Sequence, residues 1–208
     1  SNSLEVLYVN NNRLTSIPSN IGDLYQNLRD MDFSSNEITG SIPDEVGNMV
    51  ALKILRLSGN QITGQIPEFT NSLEVVDLSA NSLSGYIPSS IYTGQLRELY
   101  LSGNQLTGDI GGIVQANQLI YLNLSGNQLS GYIPGDIKDL SNLHSADFSY
   151  NVFEGIELGT FTGNNLSDLN YLYLNDNQIS GYIGADILAL NNLRQLNLAN
   201  NQFAGSVP

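Results

Sequence analysis

Apolar residues recur along the chain in one phrase, L-x-x-L-x-L. Its first position falls at Leu4, Leu28, Leu52, Leu73, Leu96, Leu119, Leu143, Leu169 and Leu193, spaced by 24, 24, 21, 23, 23, 24, 26 and 24 residues. Within the phrase the last two apolar positions flank one variable residue, as in Leu99-Tyr100-Leu101. That period of two predicts one short strand per unit. A lone strand cannot bury its apolar face, so the units must stack, which predicts a parallel sheet along a solenoid.

An asparagine stands eight residues after every one of these leucines: Asn12, Asn36, Asn60, Asn81, Asn104, Asn127, Asn151, Asn177 and Asn201. The chain must turn inward there, and a side-chain amide supplies both donors and an acceptor for backbone groups cut off from water. Beyond the asparagine come an apolar residue, then Ser/Thr-Gly, then a short apolar step, as in Leu83-Ser84-Gly85-Tyr86-Ile87-Pro88. Glycine allows a backbone conformation closed to other residues, and proline fixes φ and blocks a continuing ladder. Segments such as Gly135–Leu140 are predicted to return along the outer side as short helical or irregular stretches. The phrases LSGNQITG at 57–64, LSGNQLTG at 101–108 and LSGNQLSG at 124–131 are therefore scaffold, since a string used in many units is not a private active site.

The combined pattern L-x-x-L-x-L-S-x-N-x-L-S/T-G-x-I-P resembles the plant-type leucine-rich repeat from Leu4 to the final GSVP. Such repeats are similar to those in ectodomains of receptor-like kinases and receptor-like proteins, in polygalacturonase inhibitors and in secreted algal proteins. The resemblance implies an α/β solenoid, a right-handed superhelix with a parallel concave sheet and further short strands at S/T-G-x-I-P. The whole chain, 1–208, is read as a single domain of about nine repeats with uncapped ends, a piece of a longer chain. Three units depart from the pattern: that from Leu52 is short, that from Leu96 reads GDIGG where proline is expected, and that from Leu143 is long. The long unit makes Glu154–Asp168 the segment expected to protrude, unless it is a drifted outer loop.

Charge narrows the partners. With seven Lys and Arg and a formal charge of −13, the chain is unsuited to nucleic acid or anionic membrane surfaces. No apolar run reaches the roughly 18 residues of a membrane span, and there is no cysteine. Thiol chemistry, disulfides and zinc–thiolate sites are thus excluded, while the redox compartment stays open. No GxxxxGK[ST], GxSxG or HExxH occurs, and the sole histidine is His144. Neither catalysis nor a cofactor nor a required metal is expected. Asn175-Asp176-Asn177 lacks the glycine and terminal glutamate of a calcium loop.

Specificity should then lie in the variable strand positions. The central one reads Tyr8, Asp32, Arg56, Asp77, Tyr100, Asn123, Asp147, Tyr173, Asn197, and two residues earlier the series is Val6, Asp30, Ile54, Val75, Glu98, Tyr121, Ser145, Tyr171, Gln195. Both series are too varied for an ice-binding array of identical residues. Tyr100, Tyr121, His144, Tyr150, Tyr171 and Tyr173 form the first candidate binding surface, because tyrosine gives large contact area, a polar tip and little entropy loss; tyrosine is also simply a good strand residue. Asp30, Asp32, Arg56, Asp77 and Glu98 form the second, suited to a charged peptide unless the charges only neutralise one another.

Asn123-Leu124-Ser125 and Asn165-Leu166-Ser167 are N-glycosylation sequons. A glycan on Asn123 would cover the tyrosine surface. Tyr86, Tyr132 and Tyr182 share an SGYI context and a lateral position, where they either pack laterally or cover neighbouring backbone. The expected function is a non-catalytic, extracellular or cell-surface recognition module that binds a protein, peptide or carbohydrate on its concave face. The alternative is a structural segment of a wall, matrix or filament assembly, self-associating through its uncapped ends.

Overall fold

The computed structural model describes residues 3–157, 166–184, 187 and 190–207. Each L-x-x-L-x-L phrase becomes a three-residue strand: Val6–Tyr8, Asp30–Asp32, Ile54–Arg56, Val75–Asp77, Glu98–Tyr100, Tyr121–Asn123, Ser145–Asp147, Tyr171–Tyr173 and Gln195–Asn197. These nine pair in chain order, all parallel and in register, so that Asn123 lies beside Tyr100 on one side and Asp147 on the other. The middle residue of each strand points inward; Met31, Leu55, Val76, Leu99 and Leu122 are all buried. The two flanking residues form the sheet's outer, concave face.

A second set of strands runs beside the first, where S/T-G follows the asparagine. Thr39–Gly40, Gln61–Gly64, Ser82–Tyr86, Gln105–Gly108, Gln128–Ile133 and Val152–Ile156 form one lateral parallel sheet, and Ser180–Tyr182 pairs with Gln202–Ala204. The returns are short. Ile21–Leu24 and Asp44–Gly47 make single helical turns, while Ser89–Ile91, Gly111–Gln115 and Gly135–Asp139 wind as 3-10 turns. The short unit from Leu52 returns without a helix. The segment expected to protrude falls largely at 158–165, outside the described residues, as does Asn165.

Two devices hold one unit to the next. Asn104 donates from Nδ2 to Leu78 O at 3.0 Å and Leu101 O at 3.1 Å, while its Oδ1 accepts from Leu83 N at 2.9 Å. Leu78 and Leu83 belong to the preceding unit, so each asparagine clasps its predecessor. The same bonds recur at Asn36, Asn60, Asn81, Asn127, Asn151, Asn177 and Asn201. Asn12 keeps only bonds to Val9 O and Asn10 O within its own unit.

The second device is conformational. The residue before each ladder asparagine has positive φ in all nine units: Asn11, Ser35, Gly59, Ala80, Gly103, Gly126, Tyr150, Asp176 and Asn200, between 53° and 66°. Glycine adopts this region freely; Ala, Ser and Tyr do so at a cost of about 1–2 kcal/mol. The asparagine clasp over-determines the turn and holds them there.

Candidate functional site

The chemistry of the concave face differs between its two halves. In the first half Asp30 is the hub. Its Oδ1 accepts from Arg56 Nη1 at 3.1 Å and its Oδ2 from the Tyr8 hydroxyl at 2.6 Å. The Asp30 side chain is only 13% exposed, so both oxygens are spent inside the sheet surface. The Tyr8 hydroxyl, which donates to Asp30, is held above its ordinary pKa. Arg29 and Glu5 lie 3.8 Å apart at the exposed edge, where such a pair contributes little.

Asp32 and Asp77 serve a local task. Asp32 Oδ1 accepts from Ser34 N at 2.9 Å and Ser34 Oγ at 2.6 Å; Asp77 Oδ1 accepts from Ser79 N at 3.1 Å and Ser79 Oγ at 2.6 Å. Asn123 with Ser125, and Asp147 with Ser149, repeat this Asx clip. The signal was in the sequence as D/N-x-S starting at the last residue of four of the nine strands. It gives the sequon at Asn123 a structural origin, because the clip itself selects Asn-x-Ser or Asp-x-Ser.

In the second half the sheet brings three aromatic side chains into one row. His144 sits between Tyr121 and Tyr171, with ring centroids 5.8 Å from each and interplanar angles of 73° and 64°. These edge-to-face contacts are the favoured aromatic geometry. Asn170 Nδ2 lies 3.3 Å from His144 Nδ1, a contact that fits the tautomer protonated at Nε2. Tyr121 is 38% exposed, and His144 and Tyr171 are half-buried. The row therefore presents surface without being loose.

Tyr100 and Tyr173 stand in the neighbouring column with Asn123 and Asp147 between them. The Tyr100 hydroxyl donates to Glu98 Oε2 at 3.2 Å, and Tyr173 donates to Gln195 Oε1 at 3.0 Å. Burial, reinforced by the Glu98 charge, pushes the Tyr100 pKa up to about 12. Tyr150 lies apart from both columns. It occupies the positive-φ turn position, is 60% exposed and donates its backbone N–H to Asn175 O at 3.0 Å. Asp176 accepts from Asn175 and Asn200, each at 2.7 Å, and these bonds hold its carboxyl below the usual range.

Among the described residues no group of three or more His, Cys, Asp or Glu is placed to hold a metal ion. No helix among them is long and apolar enough to cross a membrane. A groove of about 340 Å³ lies away from the strands, between the Ile21–Leu24 and Asp44–Gly47 turns, lined by Gly22, Asp23, Glu45, Met49 and Val50.

A stacked, parallel, asparagine-clasped solenoid is the architecture of a repeat protein, and comparison with known proteins states which one. Leucine-rich-repeat models match residues 2–62, 72–93, 95–143 and 192–208. The chain belongs to the leucine-rich-repeat family, in its plant form. The solved structure of a TDR receptor is 31% identical, covers 96% of this chain and 35% of its own, and superposes with a TM-score of 0.89. The plant peptide hormone receptor RGFR1 in complex with RGF2 is also 31% identical, with coverages of 99% and 37% and a TM-score of 0.81. A plant ice-binding protein is 30% identical, with coverages of 99% and 67% and a TM-score of 0.79. Receptor like protein 21 of Arabidopsis thaliana is 34% identical over 96 residues, 44% of this chain. The chain spans less than a tenth of the length of the curated relatives it matches.

Proposed function

We propose that the chain is a non-catalytic recognition module of an extracellular or cell-surface protein, and that its concave sheet binds a protein or peptide. The observation that carries this reading is the Tyr121–His144–Tyr171 row, flanked by Tyr100 and Tyr173. Pre-ordered aromatic surface with polar tips binds at low entropic cost, and the rigid sheet keeps the rings in place. The first half of the face, by contrast, spends its charges internally through Asp30, Asp32 and Asp77. Recognition is accordingly assigned to the second half, and Tyr150 is assigned to the turn that supports it. Solved plant receptors of the same repeat, one of them a peptide hormone receptor in complex, support a protein or peptide ligand.

The test is a display selection of peptides on the native chain, followed by titration of recovered binders. Tyr121→Ala with Tyr171→Ala should weaken them at least about tenfold, as for a pair of interface anchors. Asp30→Asn should change affinity little. Binders that ignore the tyrosine pair, or that depend on Asp30, would place the site elsewhere.

A further inference from the structure

On the lateral sheet Tyr86, Tyr132 and Tyr182 rest on the scaffold. A Cβ added at Gly108, Gly155 or Gly205 would collide with their rings, so each ring lies over the glycine of the next unit. On the concave face, by contrast, one charged group is only half engaged. Asp147 Oδ1 accepts from Ser149 N at 2.9 Å and Ser149 Oγ at 2.6 Å, whereas its Oδ2 has no hydrogen bond or ion pair among the described residues.

Asp32 and Asp77 use one oxygen in the same way, but Arg56 stands between them in register. Asp147 stands between Asn123 and Tyr173. Arg97 and Arg194 precede strands two places away on either side, at the end of the sheet opposite Asp147. Across residues 98–193 the chain carries ten Asp and Glu against one Lys or Arg, Lys138, which sits in the Gly135–Asp139 return turn. This stretch therefore holds most of the net negative charge, with no Lys or Arg on its concave strands to answer it.

Aromatic surface meets that carboxylate. Ser145, two residues before Asp147 on the same strand and about 7 Å away, is the smallest of the outward-facing strand residues in this half, and Tyr121 and Tyr171 flank it in register. The result is a notch with a tyrosine on each side, His144 touching both rings at its head and an open carboxylate oxygen at its foot. Tyrosine faces attract cations, and a carboxylate oxygen without a partner accepts a charge-assisted hydrogen bond.

We infer that the notch takes the cationic side chain of an arginine or lysine, and that the peptide bound on this face is basic. The inference rests on the recognition reading above and adds the chemistry of the ligand's anchor. The alkyl stem lies over Ser145 between the two tyrosines, and the guanidinium or ammonium donates to Asp147 Oδ2. The surrounding acids repel an acidic peptide from the same place.

Phage-displayed random dodecapeptides selected on the native chain supply the probes. Those that lose affinity in Tyr121→Ala with Tyr171→Ala should share a Lys or Arg at one position. In the synthetic peptide, citrulline for that Arg or norleucine for that Lys should weaken binding at least about tenfold, the size of one charge-assisted hydrogen bond. Asp147→Asn should weaken the basic peptide by a similar factor and leave the neutral analogue unaffected. That variant keeps the turn, because Asn123 makes the same clip to Ser125 through an amide oxygen. Asp136→Asn, an equal change of charge on the return turn, should leave affinity within about twofold. Peptides that need the tyrosine pair yet share no basic residue, or equal losses in Asp136→Asn and Asp147→Asn, would overturn this inference and leave the recognition reading standing. Binders that all ignore the tyrosine pair would remove both.

Discussion

Asn104→Ala removes one clasp from the middle of the solenoid. Its consequences differ among the groups it touches. Leu78 O also accepts from Asn81 Nδ2 at 3.1 Å, and Leu101 O from Asn127 Nδ2 at 3.0 Å, so each carbonyl keeps a donor. The Leu83 amide, in contrast, loses the Asn104 oxygen that accepts it at 2.9 Å within the buried junction. One buried amide left without its acceptor costs about 1–3 kcal/mol, and that is the expected loss. Urea unfolding followed by far-ultraviolet circular dichroism measures it, and amide exchange at Leu83 localises it. Asn104→Asp separates the two halves of the clasp: the acceptor for Leu83 survives, but a carboxylate now faces Leu78 O and Leu101 O. That variant should be less stable than Asn104→Ala at neutral pH and recover as the carboxyl is protonated. Asn12→Ala, which breaks only bonds within its own unit, should cost less than about 1 kcal/mol. Equal losses at Asn12 and Asn104, or slow Leu83 exchange in Asn104→Ala, would refute the clasp.

Ala80→Gly should stabilise the chain by about 1 kcal/mol, since Ala80 holds φ at 53° where equivalent units carry glycine; thermal melting checks the sign. Gly108→Ala should destabilise and also displace Tyr86, because the new Cβ meets both a φ of 85° and the ring; a melt with tyrosine fluorescence reports both. Asp176 has its folded-state pKa lowered by bonds from Asn175 and Asn200, so its contribution is present above the ordinary carboxylate pKa and is lost as pH falls through the folded value. Asp176→Asn should therefore flatten the acid limb of a stability profile and leave the alkaline limb unchanged. Tyr100, raised to about 12, favours folding below the ordinary phenol pKa of 10.0 and loses that contribution as pH rises towards 12. Spectrophotometric titration should place it late among the tyrosines, and Glu98→Gln should bring it only part of the way down, because burial is the larger cause.

The scaffold was legible in the sequence because stacking repeats its demands. Every unit needs the same inward leucines and the same asparagine, so the nine strands and the asparagine's place in the turn could be read from spacing, whereas its reach back to the preceding unit could not. The turn before the asparagine was harder to see. Its positive φ is met by Gly59, Gly103 and Gly126, but also by Tyr150, Asp176 and Ala80, and a constraint met by such different residues leaves no single letter to recognise. Tyr150 consequently reads as part of an aromatic surface until its backbone is seen. Asp30 shows a second limit. Its partners Tyr8 and Arg56 come from the strands on either side, and sign alternation alone did not distinguish a hub whose oxygens are both occupied from a surface open to a ligand. The row through His144 was visible only as a list of aromatic residues; that three of them touch depends on the register, which places residue 144 beside both neighbouring strands.

The rings resting on the following unit's glycines have one more effect. The rings of Tyr86, Tyr132 and Tyr182 overlap the next unit like roof shingles, whereas the asparagines from Asn36 onward reach back the other way. A substitution at Gly108 is consequently felt upstream, by Tyr86, whereas one at Asn104 is felt upstream by Leu83 through an independent link in the same seam. Adjacent units are thus fastened by two links that run in opposite senses, and double-mutant cycles across one seam can separate them.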